Sequence, residues 1–146
     1  MTGTTARSSG RLGVLLGAVA VAVLLAVIVA GWSARAGGPP TVDVGIRFSE
    51  FSVSEVHVPA GQPVTFVLRN DDPIDHEWIV GDAASHERHR TGTEPVHESR
   101  PTEVSIPALE DRTTVVTFVT PGRYQFICHL PGHEAYGMTG VVVVDP

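Results

Sequence analysis

The sequence contains no lysine and a single cysteine, Cys128, and only 6% of its 146 residues are aromatic. Its ten basic residues are all arginine, and 16 acidic residues outnumber them, which gives a net charge of −6. Because a nucleic-acid-binding surface needs clustered positive charge, this composition excludes a nucleic-acid partner. One cysteine per chain excludes an internal disulfide framework and a metal cage built only from thiolates. We expect the core to consist mainly of Val, Ile and Leu.

Charge is also absent from one long apolar run, residues 12–32. As a helix rising about 1.5 Å per residue, this run matches the roughly 30 Å hydrocarbon core of a bilayer. Arg7 and Arg11 precede the run, and only Arg35 follows it closely. The positive-inside rule therefore predicts a single-pass membrane anchor, with residues 1–11 as a cytoplasmic tail and the body of the chain outside the cytoplasm.

A cleaved signal peptide is the alternative interpretation of the same run. Ala34-Arg35-Ala36 has the small-x-small form of a cleavage site, and the arginines before the run suit a positive n-region. The run is, however, longer than the usual apolar region of a signal peptide, about 7–15 residues. No cysteine lies nearby, which excludes a lipidated anchor. Under both interpretations the rest of the chain works outside the cytoplasm, in the periplasm or at the cell surface.

Residues 33–41 are rich in Gly and Pro and indicate a linker, which leaves residues 42–146 as the predicted domain. All 16 acidic residues but only seven arginines lie after residue 38, so this part of the chain has a net charge of −9. Short β-rich runs alternate with turn signals, which predicts an all-β fold, a Greek-key β-sandwich. The predicted strands are residues 42–48, 52–58, 63–69, 76–80, 103–106, 113–119, 123–128 and 139–144.

The longest interval between predicted strands, residues 81–102, is polar. A loop of this length in a compact domain is usually either functional or mobile. It holds His86, His89 and His97. We expect these three to be solvated loop residues, and the alternative is an auxiliary metal or docking site.

The rarest side chains of the sequence lie together between the last two predicted strands. Cys128, His133 and Met138 follow a Cys-x4-His-x4-Met spacing, and Met138 is the only methionine besides the initiator. A soft thiolate, an imidazole and a weak thioether suit copper, which cycles between soft Cu(I) and harder Cu(II). His76 begins a predicted strand after the turn at residues 70–75 and is the candidate fourth ligand. Two His, one Cys and a long axial Met constitute a trigonal blue-copper site.

Two motifs carry a resemblance to a known family: His76 in NDDPIDHEWIVGD and the loop CHLPGHEAYGMTG. In both, the sequence resembles the cupredoxins, the family that includes plastocyanin, azurin and rusticyanin. The resemblance covers nearly all of residues 42–146 and implies a cupredoxin-like β-sandwich with one type 1 copper ion, Cu(I)/Cu(II). By position it implies His76, Cys128 and His133 as equatorial ligands and Met138 as the axial ligand. Family members commonly have Asn or Ser after the first ligand histidine, where this chain has Glu77. That departure bears on the reduction potential and not on the ligands.

Two further histidines have different expectations. His129 directly follows Cys128, so on a strand its side chain points to the opposite face. We expect it to be structural or at the surface, and the alternative is a second metal at a subunit interface. His57 lies in an alternating strand and is predicted to face solvent.

The leading functional hypothesis is a membrane-anchored carrier of single electrons, monomeric and not an enzyme. The resemblance implies that the ring edge of His133 is the electron port. Its apolar neighbours Leu130, Pro131, Ala135 and Tyr136 are then a small docking patch for redox partner proteins, which we expect to be membrane-associated. The acidic body is expected to steer positively charged partners.

Two other hypotheses use the same residues differently. A copper chaperone, buffer or resistance protein would have these ligands but exchange its metal. A small oxidase or a nitrite-reductase-like enzyme needs a second copper site with an open coordination position. A two-copper centre of the CuA type is excluded because it needs two cysteines, and this chain has one.

Overall fold

Nine strands and one short helix make up the secondary structure of residues 38–92 and 100–146, the part of the chain that the computed structural model describes. Within this part, no helix is both long enough and apolar enough to cross a bilayer. The predicted anchor at residues 12–32 lies outside the described residues, as do the tail and most of the linker, so the anchor stays a prediction.

All eight predicted strands are present, each within three residues of its predicted ends. A ninth strand, only two residues long, was not predicted. In chain order the elements are β1 Thr41–Arg47, β2 Glu50–Phe51, β3 Glu55–Pro59, β4 Pro63–Asn70, β5 His76–Gly81, α1 Ala83–Arg90, β6 Glu103–Ile106, β7 Asp111–Thr117, β8 Gly122–Ile127 and β9 Thr139–Asp145.

These strands form two sheets that pack face to face. One sheet has the strand order β2-β1-β4-β7 and the other has the order β3-β9-β8-β5-β6. Strand β1 pairs with β4, and β3 with β9, in parallel, whereas the other neighbours are antiparallel. The chain crosses repeatedly between the two sheets, as Greek-key connections do. The predicted β-sandwich is confirmed.

The core lies between the two sheets and consists mainly of branched aliphatic side chains. Along β4 the burial alternates from residue to residue, as expected for a strand with one face buried. Trp78 of β5 is fully buried, and its ring lies 4.8 Å from that of Phe66 on the facing sheet. Cys128 and Met138 belong to the same buried cluster. Two of the four predicted ligands are therefore parts of the packed core.

Part of the interval predicted to be a polar loop is helical, so that prediction was wrong for helix α1. Asp82 is the N-cap, and its Oδ1 accepts a hydrogen bond from the Ser85 N–H at 2.8 Å. Basic side chains occupy the last turn, where they interact favourably with the helix dipole. The hydrophobic pattern could not reveal this helix, because its one buried residue is His86, not an apolar side chain.

Gly140 of β9 provides a test of the core packing. A Cβ atom at this position would lie 2.1 Å from Cζ of Phe126. We expect Gly140→Ala to reduce the free energy of unfolding by about 1–3 kcal/mol, because the ring would have to move within a close-packed core. Urea denaturation measures the change. Gly38→Ala is the control, since a Cβ there meets nothing within 4 Å, and it should change stability by less than about 0.5 kcal/mol. Equal stabilities of the two variants would contradict the packing.

Candidate metal centre

The pairing of β5 with β8 brings two predicted ligands to one end of the second sheet. Ile79 of β5 lies opposite Ile127 of β8 in an antiparallel register. His76 begins β5, three residues before Ile79, and Cys128 follows Ile127 directly. Because antiparallel strands run in opposite directions, the start of β5 and the end of β8 meet. The two residues are thereby close in space although 52 positions apart.

The structure brings His76, Cys128 and His133 together. One potential ligand atom from each residue lies within 4.8 Å of the other two. The Cys128 Sγ atom is 3.2 Å from His133 Nδ1, and the two imidazole rings have centroids 4.9 Å apart. His76 and Cys128 are buried and His133 is half-buried. Of the three candidate ligands, His133 is thus the one that reaches the surface.

A carboxylate determines the orientation of the His76 ring. His76 Nε2 donates to Asp72 Oδ2 at 2.9 Å, because an ionised carboxylate can only accept. The remaining ring nitrogen, Nδ1, is buried and has no hydrogen-bond partner within the described part of the chain. A buried polar atom without a partner is costly, and a lone pair facing a cysteine sulfur and a second imidazole fits a metal ligand. Metal-binding histidines commonly have such a carboxylate on their other nitrogen.

Asp72 is itself held by the backbone. Its Oδ1 and Oδ2 accept the N–H groups of Phe48 and Ser49 at 2.7 and 2.8 Å. Burial raises the pKa of Asp72, but these two backbone hydrogen bonds and the His76 ring outweigh that effect and lower it overall. Phe48 and Ser49 have φ angles of 57° and 56°, a left-handed conformation that non-glycine residues adopt at a cost of roughly 1–3 kcal/mol each. The carboxylate therefore stabilises a strained turn and a metal-ligand candidate together.

Backbone hydrogen bonds within the loop from Cys128 to Met138 tie the candidate ligands to one another. The Cys128 N–H donates to the Met138 carbonyl, and the Met138 N–H donates to the His133 carbonyl, at 3.2 and 3.0 Å. The Met138 side chain is fully buried in the core. Gly132 and Gly137 have φ angles of 89° and 94°, which favour glycine. The loop is closed on itself, so its side chains keep a fixed arrangement.

Glu77, the departure from the family pattern, contacts this loop from β5. Its Oε1 accepts the His129 N–H at 2.7 Å, and its own N–H donates to Cys128 Sγ at 3.5 Å. The carboxylate thus makes the type of loop contact for which the family commonly has Asn or Ser. A hydrogen bond to the cysteine sulfur reduces the electron density on it and is one of the factors that determine a blue-copper potential.

Burial decides the protonation states of the sulfur and of His133. It raises the pKa of the Cys128 thiol to about 11, against a smaller lowering by the backbone N–H groups of Glu77 and Leu130. It lowers the pKa of His133, and the neighbouring His76 acts in the same direction. Without a metal, the site at neutral pH contains a thiol and an uncharged imidazole. A metal ion that binds here must displace the thiol proton.

Of the other histidines, two are placed differently from what we expected and one is placed as predicted. His86 is 1% exposed and the His89 side chain is 4% exposed, so the prediction of solvated loop residues was wrong for both. The His129 side chain is also buried, and it packs against these two. His57 faces solvent as predicted, with its side chain 59% exposed. His97 lies outside the described residues.

Sequence reasoning missed the residues that support the site. Asp72 was passed over as part of a turn, and no local pattern marks it as a partner of His76. The pairing of His86 with His129 spans 43 positions of sequence. The one available signal was the departure at Glu77, where an acidic residue stands between a candidate ligand and an apolar run.

The cupredoxin-like domain family matches residues 18–144 of this chain. The chain therefore belongs to that family, and the resemblance that the sequence suggested is confirmed. Copper is the cofactor that the fold and the His-Cys-His donor set support. A thiolate and two imidazoles are the ligand types that suit this metal.

Curated relatives carry the name copper-resistant cuproprotein CopI. The protein of Rubrivivax gelatinosus is 32% identical over 97 residues, which are 64% of this chain and 59% of that protein. The protein of Pseudomonas aeruginosa is 28% identical over 138 residues, covering 73% of this chain and 76% of that protein. This chain therefore spans only part of the length of these relatives.

Solved structures with a similar fold include auracyanins. The auracyanin of Roseiflexus castenholzii has a TM-score of 0.63 at 24% identity, covering 75% of this chain and 100% of that one. Auracyanin A of Chloroflexus aurantiacus, described as a "blue" copper protein, has a TM-score of 0.58 at 26% identity, covering 74% and 100%. At 24% identity, the likeness to the Roseiflexus castenholzii auracyanin shows the fold alone.

The raised pKa of Cys128 gives a pH-dependent prediction for the metal-free protein. A group that keeps its proton up to about pH 11 has roughly a hundredfold less thiolate at neutral pH than a thiol of pKa 9, and the thiolate is the nucleophile. We expect the rate of alkylation by iodoacetamide to rise with a midpoint near pH 11 in the folded protein. In the same chain unfolded in urea, the midpoint should be near pH 9. Because the chain has one cysteine, mass spectrometry reports this site alone. Equal midpoints would contradict the burial of the sulfur.

Proposed function

We propose that this protein carries single electrons by means of one copper ion held by His76, Cys128, His133 and Met138. The observation that carries the proposal is the convergence of three donor atoms, from two distant parts of the chain, at one end of a packed β-sandwich. Copper supplies the one-electron cycle between Cu(I) and Cu(II). Met138 completes the proposed set as the axial ligand, and its buried position and its backbone bond to His133 support that role.

The chain's own residues would keep the site unchanged between the two oxidation states. Asp72 holds the His76 ring through Nε2, Glu77 holds the ligand loop through the His129 N–H, and the loop is closed by its own backbone bonds. A rigid set of ligands needs little rearrangement when one electron is added or removed. This rigidity favours electron transfer over a site that opens to release its metal.

The half-buried ring of His133 is the proposed route for electrons. Tyr136, in the same loop as His133, is 81% exposed. Leu109 is 68% exposed, and its N–H donates to the backbone carbonyl of Asp72, the residue that holds His76. Ile74, 46% exposed, precedes His76 by two residues. We propose that these side chains form a small docking patch for a redox partner protein, since weak redox interfaces bury less than about 1,200 Å².

The proposed setting of the domain is the outer side of a membrane. Its support is the sequence, in which residues 12–32 have the length and composition of an anchor. The net charge of −9 after residue 38 would attract positively charged partners. Because salt screens charges, this attraction would weaken as the salt concentration increases. An anchor would keep the domain close to membrane-associated redox proteins.

A second candidate function is copper handling, and one observation favours it. The curated relatives are named copper-resistant cuproproteins, which suggests that this chain protects cells by binding or delivering copper. Such a protein would give up its metal, whereas an electron carrier would keep it through many redox cycles. A catalytic function would need a second metal ion with an open position.

Visible spectroscopy with the Cys128→Ser variant tests the proposed function. We expect the copper-loaded wild type to show an intense blue absorption that disappears on reduction and returns on oxidation. Cys128→Ser should lose this absorption completely while keeping its unfolding transition, because the thiolate produces the colour and not the fold. His57→Gln, on the exposed side of β3, is the matched control and should stay blue. A colourless wild-type site that releases copper to a chelator would favour copper handling, and a blue Cys128→Ser variant would contradict the ligand assignment.

The role of Met138 is tested by Met138→Leu, which conserves volume. Removal of a weak axial donor disfavours Cu(II), so the variant should stay blue and its reduction potential should rise by about 60 mV, the one-electron equivalent of a tenfold change in an equilibrium constant. Protein-film voltammetry measures the potential. Val142→Leu is the control for a change in the packed core, since Val142 is buried in the same cluster. An equal potential in Met138→Leu and wild type would mean that Met138 is not a ligand.

A further inference from the structure

A second group of chemically active side chains lies on the side of β5 and β8 that faces α1. His86 and His89 belong to α1, and His129 and Glu134 belong to the loop that follows β8. All three imidazoles are buried, and His86 Nδ1 lies 3.0 Å from His129 Nε2. The proposed electron carrier does not use these residues.

The outer nitrogen of each ring in this pair faces a group that can only accept a hydrogen bond. His86 Nε2 is 3.2 Å from the Gln125 carbonyl oxygen, and His129 Nδ1 is 3.1 Å from Glu134 Oε2. Arg90 donates to both carboxylate oxygens of Glu134, so this carboxylate is paired with a cation and accepts from His129. Both outer nitrogens must therefore carry the proton of their ring.

No proton is left for the contact between the two rings. A neutral imidazole has a single N–H, and both rings have used theirs on the outside. His86 Nδ1 and His129 Nε2 are then both unprotonated, and their lone pairs face each other across a distance of 3.0 Å between the two nitrogens. An ordinary hydrogen bond between them would require a third proton and a buried imidazolium. Burial lowers the pKa of His86 overall, although hydrogen bonds to the backbone at Gln125 and Gly81 act in the opposite direction.

Two ligands of one metal ion have the same arrangement. Metal–imidazole bonds of about 2.0–2.1 Å that enclose roughly 90–100° place their nitrogens about 3 Å apart. In addition, ligand histidines typically donate their other N–H to a carbonyl or a carboxylate, as both rings do here. We propose that His86 Nδ1 and His129 Nε2 bind a second metal ion, a divalent cation of borderline softness such as Cu²⁺ or Zn²⁺.

The surroundings of the pair define the kind of site. The ring of His89 is stacked on His129 at 5.6 Å and 17°, and its Nδ1 donates to the Ser85 carbonyl at 2.7 Å. His89 therefore flanks the pair and is not one of its proposed ligands. Among residues 38–92 and 100–146, the proposed ligands are then two, and the other coordination positions can take an exogenous ligand. Glu134 and Arg90 are the partly exposed edge of the group, and their movement would admit a metal ion.

This site is distinct from the copper centre but directly joined to it. Cys128 and His129 are consecutive residues whose side chains point to opposite faces: Cys128 is in the core cluster, and His129 is against α1. A metal ion on His129 would be linked to the Cys128 sulfur by one short stretch of backbone. The inference rests on the pair of histidines alone and holds whether or not the first site carries electrons.

Zinc binding to the full-length chain tests the proposal. The protein is first loaded with one equivalent of copper and then dialysed against Zn²⁺ near neutral pH, with total metal measured by mass spectrometry. We expect wild type to bind one equivalent of Zn²⁺. His86→Gln should bind it at least tenfold more weakly, and Glu134→Ala, which removes the acceptor from His129 Nδ1, should bind it roughly 10–100-fold more weakly. His57→Gln, an exposed histidine far from the pair in sequence, should bind as wild type does.

Two further measurements keep the outcomes decisive. In wild type labelled with ¹⁵N, Zn²⁺ should shift His86 Nδ1 and His129 Nε2 and leave their outer nitrogens protonated, which decides the matter even if His86→Gln fails to fold. Cys128→Ser should keep the Zn²⁺ equivalent that depends on His86, so that failure of the first site and failure of the second can be told apart. Wild type that binds no Zn²⁺ beyond its copper, or a folded His86→Gln that binds it fully, would overturn the proposal and leave a proton-sharing pair of histidines.

Discussion

The register between β5 and β8 is the constraint on which both candidate metal sites depend. Ile79 lies opposite Ile127, and this pairing determines which neighbouring residues face the core. A slip by one residue would turn Cys128 outward and bring His129 into the core, because side chains alternate between faces. The ring of Trp78 packs near Phe66 and Phe126 on the inner side of these strands. The packing of three large side chains therefore stabilises the register that places the sulfur.

Much of the fold could be predicted because strand signals are local. The Val and Thr residues of β7, or the apolar run of β9, indicate a strand without any knowledge of its neighbours, and Pro-Gly pairs mark the turns between strands. Helix α1 could not be predicted in this way. Its buried side chains are the histidines His86 and His89, so it lacks the apolar periodicity that reveals most helices. Strand β2 has two residues and follows the turn at Phe48 and Ser49, which Asp72 stabilises from 24 and 23 positions further along the chain.

The candidate site divides in the same manner into local and distant contributions. Cys128, His133 and Met138 could be predicted because one loop contains all three at a regular spacing. His76 required the further assumption that two strand ends meet. The partners of these residues could not be predicted, since the position of Asp72 beside His76, or of Glu77 beside the His129 N–H, follows from the packed structure. The types of ligand atom can be predicted from a sequence, whereas the groups that orient those ligands are determined by tertiary contacts.

Carboxylates orient the imidazoles on both sides of Cys128, and this shared feature has a chemical consequence. Asp72 holds the proton of His76 on Nε2, and Glu134 holds that of His129 on Nδ1. In each ring the opposite nitrogen is left as a lone pair before any metal ion arrives. The protein meets the cost of arranging these donors during folding, and the ionised carboxylates add a negative potential that stabilises the more highly charged metal ion. Rigid, pre-oriented donors of this kind favour retention of copper through a change of oxidation state, which is the property that separates an electron carrier from a protein that passes copper on.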